Sequence, residues 1–177
     1  LVIHEALVVG EDETRNVQFI VKPDGAFQFF SSGDGDEWQL HATGKVRAGS
    51  ADGEAASVSL ADIQSRCVEQ VSAKAHYQML RERGLEFGPS LHGVQQIWRR
   101  DGEALGKVQL PATLEAEAGD YHVHPALLDA CLQPLASAVP SNGSTDVYMP
   151  VNIESFLLHR RPGAQVWSHA ALRSTEC

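Results

Sequence analysis

Among the residues of this chain that could do acid–base work, one group stands out by its spacing. Asp129 and Gln133 stand four apart in Pro125-Ala126-Leu127-Leu128-Asp129-Ala130-Cys131-Leu132-Gln133. On a helix that spacing puts both side chains on one face, where the amide can reach the carboxyl. A carboxyl held so can give or take a proton. The same pair also reads as a solvated polar face, since Asp is almost never fully buried unless paired. Just ahead, His122-Val123-His124 sets two imidazoles on one side of an extended segment. No Cys or acidic partner completes a ligand set, so a solvated or capping pair is the reading taken, and no metal is expected. There is no Gly-x-Ser-x-Gly elbow, and Cys131 in mid-helix reads as a packed thiol, so a covalent nucleophile is not expected either. The stretch Gly84 to Gly93 packs three glycines and a proline between a helix and a strand, and by itself it is a helix stop and a turn.

These residues need a scaffold, and the spacing of apolar residues describes one. Residues 1 to 48 read as antiparallel strands: Leu1 to Val9, Val17 to Val21, Ala26 to Phe30 and Trp38 to Arg47, with turns at Lys22-Pro23-Asp24-Gly25 and Ser31 to Glu37. Residues 49 to 58 are small and polar and read as a linker. Ile63, Cys67, Val71, Ala75 and Met79 recur at fourth positions, which predicts helix over Ile63 to Arg83 with Gly84 as its C-cap. Ser72 could restart it as an N-cap, leaving one helix or two. The Asp101-Gly102 turn joins Val94 to Trp98 and Ala104 to Leu110 as a hairpin. Pro125 opens a helix that Pro134 ends or kinks. Its broad apolar arc is Leu127, Leu128, Cys131, Leu132 and Leu135, expected as core, while Ala126, Ala130 and Ala136 are small enough to let another surface approach. Strands are expected at Tyr148 to His159 and Val166 to Arg173.

Composition narrows the function. The 177 residues carry 23 acidic and 14 basic side chains for a formal charge of -9, and 43% are hydrophobic. That is a globular composition, and its sign argues against binding a phosphate backbone, so no nucleic acid is expected. No apolar run approaches the roughly 20 residues of a membrane span. Three cysteines without CxxC spacing suggest neither a disulfide framework nor a zinc site, which fits a reducing cytoplasm. The chain opens on Leu1 without the pattern of a signal peptide, and it reads as part of something longer.

Two stretches, in this order, resemble the dehydratase domain of polyketide synthases. Phe87-Gly88-Pro89-Ser90-Leu91-His92-Gly93 is similar to the family's YGPxFQG motif, and His124 to Gln133 to its HPxxLDxxxQ motif. Trp38 to Gly44 resembles the segment closing the family's first half, and Tyr148-Met149-Pro150-Val151-Asn152-Ile153 its LPxxW region. The resemblance implies an α+β hotdog fold, a partial double hotdog in which antiparallel sheet wraps a central helix. Residues 1–48 would be the end of the first hotdog, 49–60 the linker and 61–177 the second hotdog.

It also implies a function: loss of water from a carrier-protein-bound 3-hydroxyacyl thioester to give a 2-enoyl thioester. Asp129 would be the general acid and Gln133 the residue holding its carboxyl. Phe87, Gly88, Pro89, His124 and Pro125 would border the substrate, and the small-residue face of the helix would line an acyl tunnel. A carboxylic acid in an apolar tunnel keeps a proton to give at neutral pH. No histidine here fits the family's HxxxGxxxxP motif, so the base is expected upstream. No resident cofactor is implied, because the substrate rides on the phosphopantetheine of an acyl carrier protein. Partners would be that carrier, the other synthase domains and a second copy as a homodimer. Phe87 replaces the motif's Tyr and so lacks a hydroxyl beside the acid, Leu91 replaces Phe, and His92 replaces Gln. Two other readings stand beside this one, a non-catalytic dehydratase-like docking module and a product-template cyclisation domain.

Overall fold

Two glycines at φ +82°, Gly25 and Gly102, turn the chain where the sequence places its tightest reversals. Each follows an aspartate and takes a backbone conformation that a Cβ would strain. At the first, Asp24 accepts from the Ala26 amide at 3.1 Å, joining β2 (Asn16–Val21) to β3 (Ala26–Ser32). At the second, Asp101-Gly102 joins β6 (Val94–Arg100) to β7 (Glu103–Gln109). The structure is a computed structural model and describes residues 1–33, 35, 37–48, 58–140 and 148–173. The chain divides into two units, Leu1–Glu54 with Met149–His159, and Ala55–Tyr148 with Arg160–Cys177.

The first unit is an antiparallel sheet in the order β1-β4-β3-β2, where β1 is Val2–Ile3 and β4 is Gln39–Lys45. The expected strand Leu1 to Val9 therefore shrinks to two residues, paired with Thr43 and Ala42. A second expectation fails more fully. Tyr148 to His159 was expected as a strand, yet it forms a single bridge, Asn152 to Val2. Pro150 lies within it and has no amide proton to give a ladder. The linker reading falls largely on 49–57, outside the described residues.

The second unit begins with two helices, not one. Ser59 caps α1 (Leu60–Arg66), and Ser72 caps α2 (Ala73–Glu82) by accepting from the Ala75 amide at 3.2 Å. Between them Glu69–Ser72 forms β5, which pairs with β6. The fourth-position stripe therefore holds only in its first part, where Ile63 and Cys67 are buried; in α2 the buried face is His76 and Leu80, one position on, and Ala75 is exposed. Gly84, at φ +84°, closes α2, with the Leu85 amide donating to Leu80 as in a Schellman end.

The sheet runs β5-β6-β7-β8, all antiparallel, with β8 at Gln165–Ala171. Against it lie α3 (Pro125–Leu132) and α4 (Pro134–Ala138), giving the hotdog arrangement of sheet around helix. The close approach is made by residues without bulk. A Cβ on Gly93 would stand 2.6 Å from the Ala130 Cβ, and one on Gly106 would stand 2.5 Å from Pro134 Cγ. This corrects the expected helix faces. Ala126, Leu127, Ala130 and Gln133 are buried, whereas Leu132 is 46% and Leu135 40% exposed. Glycines in the facing strands let the alanines reach the sheet, so the seam is built from small residues and part of the leucine arc turns outward.

Candidate active site

The α3 helix is set by its first two residues. Pro125 occupies N1, where its missing amide proton costs nothing. His124 caps the helix through Nδ1, which accepts from the Ala126 amide at 3.2 Å. Because Nδ1 accepts, the neutral ring carries its proton on Nε2. That nitrogen is buried without a hydrogen-bond partner among the described residues. His122 uses its Nδ1 to accept from Arg161 at 3.0 Å, so the two imidazoles are engaged in separate hydrogen bonds.

One turn further on, the half-buried Asp129 accepts through Oδ2 from Gln133 Nε2 at 2.8 Å. Gln133 does not lie on a solvated face, being 6% exposed. Its second amide proton goes to the Leu91 carbonyl at 3.0 Å, and its Oε1 accepts from the Tyr77 hydroxyl at 3.0 Å. Tyr77 Oη in turn accepts from the Val94 amide at 3.0 Å. The fold thereby brings together the two motifs, 42 residues apart between Leu91 and Gln133.

The loop contributes through its backbone and its rings. Gly88 leads into a 3-10 turn, Pro89–Leu91, both Gly88 and Pro89 being exposed, and His92 Nε2 donates to the Phe87 carbonyl at 3.0 Å. His92 stacks on the Tyr77 ring at 4.1 Å, while Phe87 meets it edge-on at 6.3 Å. Burial pushes the Tyr77 phenol up to about 12, so its proton stays on at neutral pH. Tyr77 is the residue that sequence reasoning missed. Nothing in its spacing distinguishes it from a helix residue packing beneath a loop. The hydroxyl that Phe87 lacks is nonetheless present beside Gln133, supplied from α2.

Other candidates lack access. Ser31 Oγ lies 2.7 Å from His41 Nε2, whose Nδ1 donates to the Glu5 carbonyl at 3.1 Å, the geometry of a nucleophile and its base. Ser31 is, however, fully buried, so the pair joins two strands. Burial also raises the thiols of Cys67 and Cys131 above their ordinary range, which keeps them protonated and unreactive. A groove of about 670 Å³ runs beside α2 past Tyr77 and His92, and neither Asp129 nor Gln133 lines it. On the small-residue face of α3, Ala126 and Ala130 are packed on the sheet. Among the described residues no cluster of three His, Cys, Asp or Glu could hold a metal, and no helix is long and apolar enough to cross a membrane.

Residues 55–176 match the family profile of the polyketide synthase dehydratase N-terminal domain. The chain belongs to the polyketide synthase dehydratase family. It is 35% identical over 145 residues to mycoketide-CoA synthase of Mycobacterium tuberculosis, covering 80% of this chain and 3% of that protein. The dehydratase domain from the CurF module of curacin polyketide synthase superposes with a TM-score of 0.88 at 35% identity, over 99% of this chain and 64% of that one. The CurK-module dehydratase gives 0.84 at 33%, over 98% and 62%. Two variants of the CurK dehydratase, one with a histidine changed to phenylalanine and one with an aspartate changed to asparagine, are described as inactive. The chain thus spans a small part of the synthase and just under two thirds of these domains.

Proposed function

We propose that this chain carries the acid half of a dehydratase active site, acting on a 3-hydroxyacyl thioester carried on the phosphopantetheine of an acyl carrier protein. Asp129 is the general acid. A histidine base takes the α-proton, the freed electron pair closes the new double bond, and the β-carbon–oxygen bond breaks as Asp129 hands its proton to the departing hydroxyl. Water and a 2-enoyl thioester leave, and no resident cofactor is called for. The observation that carries this is the fixing of Asp129 through one oxygen only. The buried Gln133 amide holds Oδ2, and no described residue donates to Oδ1. A carboxyl aligned by one hydrogen bond keeps its second oxygen to carry and deliver the proton.

The inactive CurK variants support a histidine and an aspartate as the working pair, and there the histidine precedes the aspartate by more residues than stand ahead of Asp129 here. The base accordingly belongs to a part of the synthase before residue 1, and the site within this chain is incomplete. Phe87, Gly88 and Pro89 border the substrate from the loop side. His124 and Pro125 border it from the helix start. In this reading residues 1–48 end the first hotdog, 49–60 link, and 61–177 form the second. The partners are the acyl carrier protein, the neighbouring synthase domains and a second copy in a homodimer, in the cytoplasm, where Cys67 and Cys131 stay reduced.

The test is turnover of a 3-hydroxyacyl pantetheine thioester by the dehydratase within its synthase, read as water loss by mass, beside Asp129→Asn. The variant is expected to lose about 10²–10⁴ in rate, the usual worth of one general acid. Full activity with an unchanged thermal midpoint removes Asp129 from the mechanism. Silence from the parent favours the docking module, and ring closure without water loss the product-template reading.

A further inference from the structure

We infer that Tyr77 is a positioning residue for Asp129, acting through Gln133, and that it confines the acidic proton to the oxygen facing the substrate. The inference rests on the proposed role of Asp129. A glutamine amide can sit in either of two orientations that differ by exchange of its oxygen and nitrogen. Here two groups make the choice, the Leu91 carbonyl, which accepts from Nε2 at 3.0 Å, and the Tyr77 hydroxyl on the other side. The Val94 amide donates to Tyr77 Oη at 3.0 Å, so the hydroxyl must give its one proton elsewhere. Of the two acceptors in reach, Gln133 Oε1 lies at 3.0 Å and the Leu91 carbonyl at 3.3 Å. The Leu91 carbonyl already takes a Gln133 N–H at 3.0 Å. Oε1 is the nearer acceptor for Tyr77, and Nε2 is turned to Asp129 Oδ2 at 2.8 Å.

The consequence concerns protonated Asp129. An N–H directed at Oδ2 is met best by the carbonyl oxygen of the acid, which favours the carboxyl proton on Oδ1. Without the Tyr77 hydroxyl only the Leu91 carbonyl, which a flipped Oε1 would face, opposes a flip when Asp129 is protonated. Flipped, Oε1 would take the acid's proton in a hydrogen bond and park it away from the leaving hydroxyl. The ring that holds the hydroxyl is itself clamped by His92, stacked at 4.1 Å, and by Phe87 edge-on at 6.3 Å. The loop thus works on the acid through Tyr77, which gives the loop rings a task besides bordering substrate.

The experiment uses Tyr77→Phe in the same dehydratase assay, with kcat and KM read separately. A fall in kcat of about 10-fold is expected, the worth of one lost hydrogen bond, with KM unchanged. Gln133→Met should lose at least as much, and adding Tyr77→Phe to it should cost nothing further. Parent-like kcat in Tyr77→Phe while Asp129→Asn is dead overturns the inference and leaves the acid standing. An additive loss in the double variant overturns it too. An active Asp129→Asn instead refutes the acid assignment, whatever Tyr77 does. Should Tyr77→Phe fail to fold, the Gln133 side-chain amide of the parent decides by nitrogen-15 NMR. Two distinct, slowly exchanging protons are expected, and a rapidly rotating, rapidly exchanging amide overturns the proposal.

Discussion

Both units are built on four antiparallel strands, yet they bury different things. In the second, α3 and α4 lie on the sheet and the interior is apolar, with Ile97, Leu105 and Val108 inaccessible. In the first, the buried described residues are Ser31, Ser32 and His41, and every residue of β2 is exposed, Phe19 at 58%. A sheet buries an apolar face only where another layer lies on it. The helix that carries Asp129 is therefore also one of the elements that cover the sheet and build the second unit's core.

That contrast can be broken by mutation, and the largest effect is expected from truncation. Leu127→Ala, under α3, should cost about 2–5 kcal/mol in urea unfolding, whereas Phe19→Ala should cost less than about 0.5. Leu132→Ala, on the outward face of the same helix, should resemble Phe19→Ala, and a core-sized cost there would mean the small-residue seam is wrong. Overpacking comes next. Gly106→Ala presses on the ring of Pro134 and should cost about 1–3 kcal/mol. Gly44→Ala, in the first unit, meets at 2.5 Å only the tip of the Phe27 ring, which can swing aside, and should cost less than about 1. Equal costs would remove the distinction between a rigid proline ring and a phenyl ring free to turn.

Acid acts through single groups, and the second unit should feel it in two stages. Burial lowers His76 from 6.5 to about 4, so the fold keeps it neutral while the unfolded chain takes up a proton. The stability this gives is complete above 6.5 and falls between 6.5 and about 4. Glu103, held by Arg66, His169 and Arg100, is lowered from 4.5 to about 2, and its contribution is lost between those values. Thermal midpoints measured across this range should decline in both windows, and His76→Gln should flatten the upper one alone.

Much of this was legible along the chain. The hairpin turns at Gly25 and Gly102, the cap at Ser72, the helix start at Pro125, and the i,i+4 pairing of Asp129 with Gln133 follow from local rules, because each depends on residues within a turn of one another. The motifs around Phe87 and Asp129 carried the family as well. The failures share a cause, which is that their answers lie across the fold. Ile63 to Met79 looked like one stripe until the Ser72 cap and the partner strand β6 divided it. Leu132 looked like core until Gly93 and Gly106 offered the sheet to Ala130 and Pro134 instead.

What the sequence determined by itself is which residues can hold a proton and how far apart they stand on one helix. Only the tertiary structure decided what those residues touch. Gln133 could be solvated or buried by spacing alone. It is buried because Leu91 and Tyr77, from a loop and a helix remote in sequence, use up its amide and leave it one donor for Asp129. A periodicity states direction around an axis. A hydrogen bond needs a partner at about 3 Å, and that partner is supplied by folding.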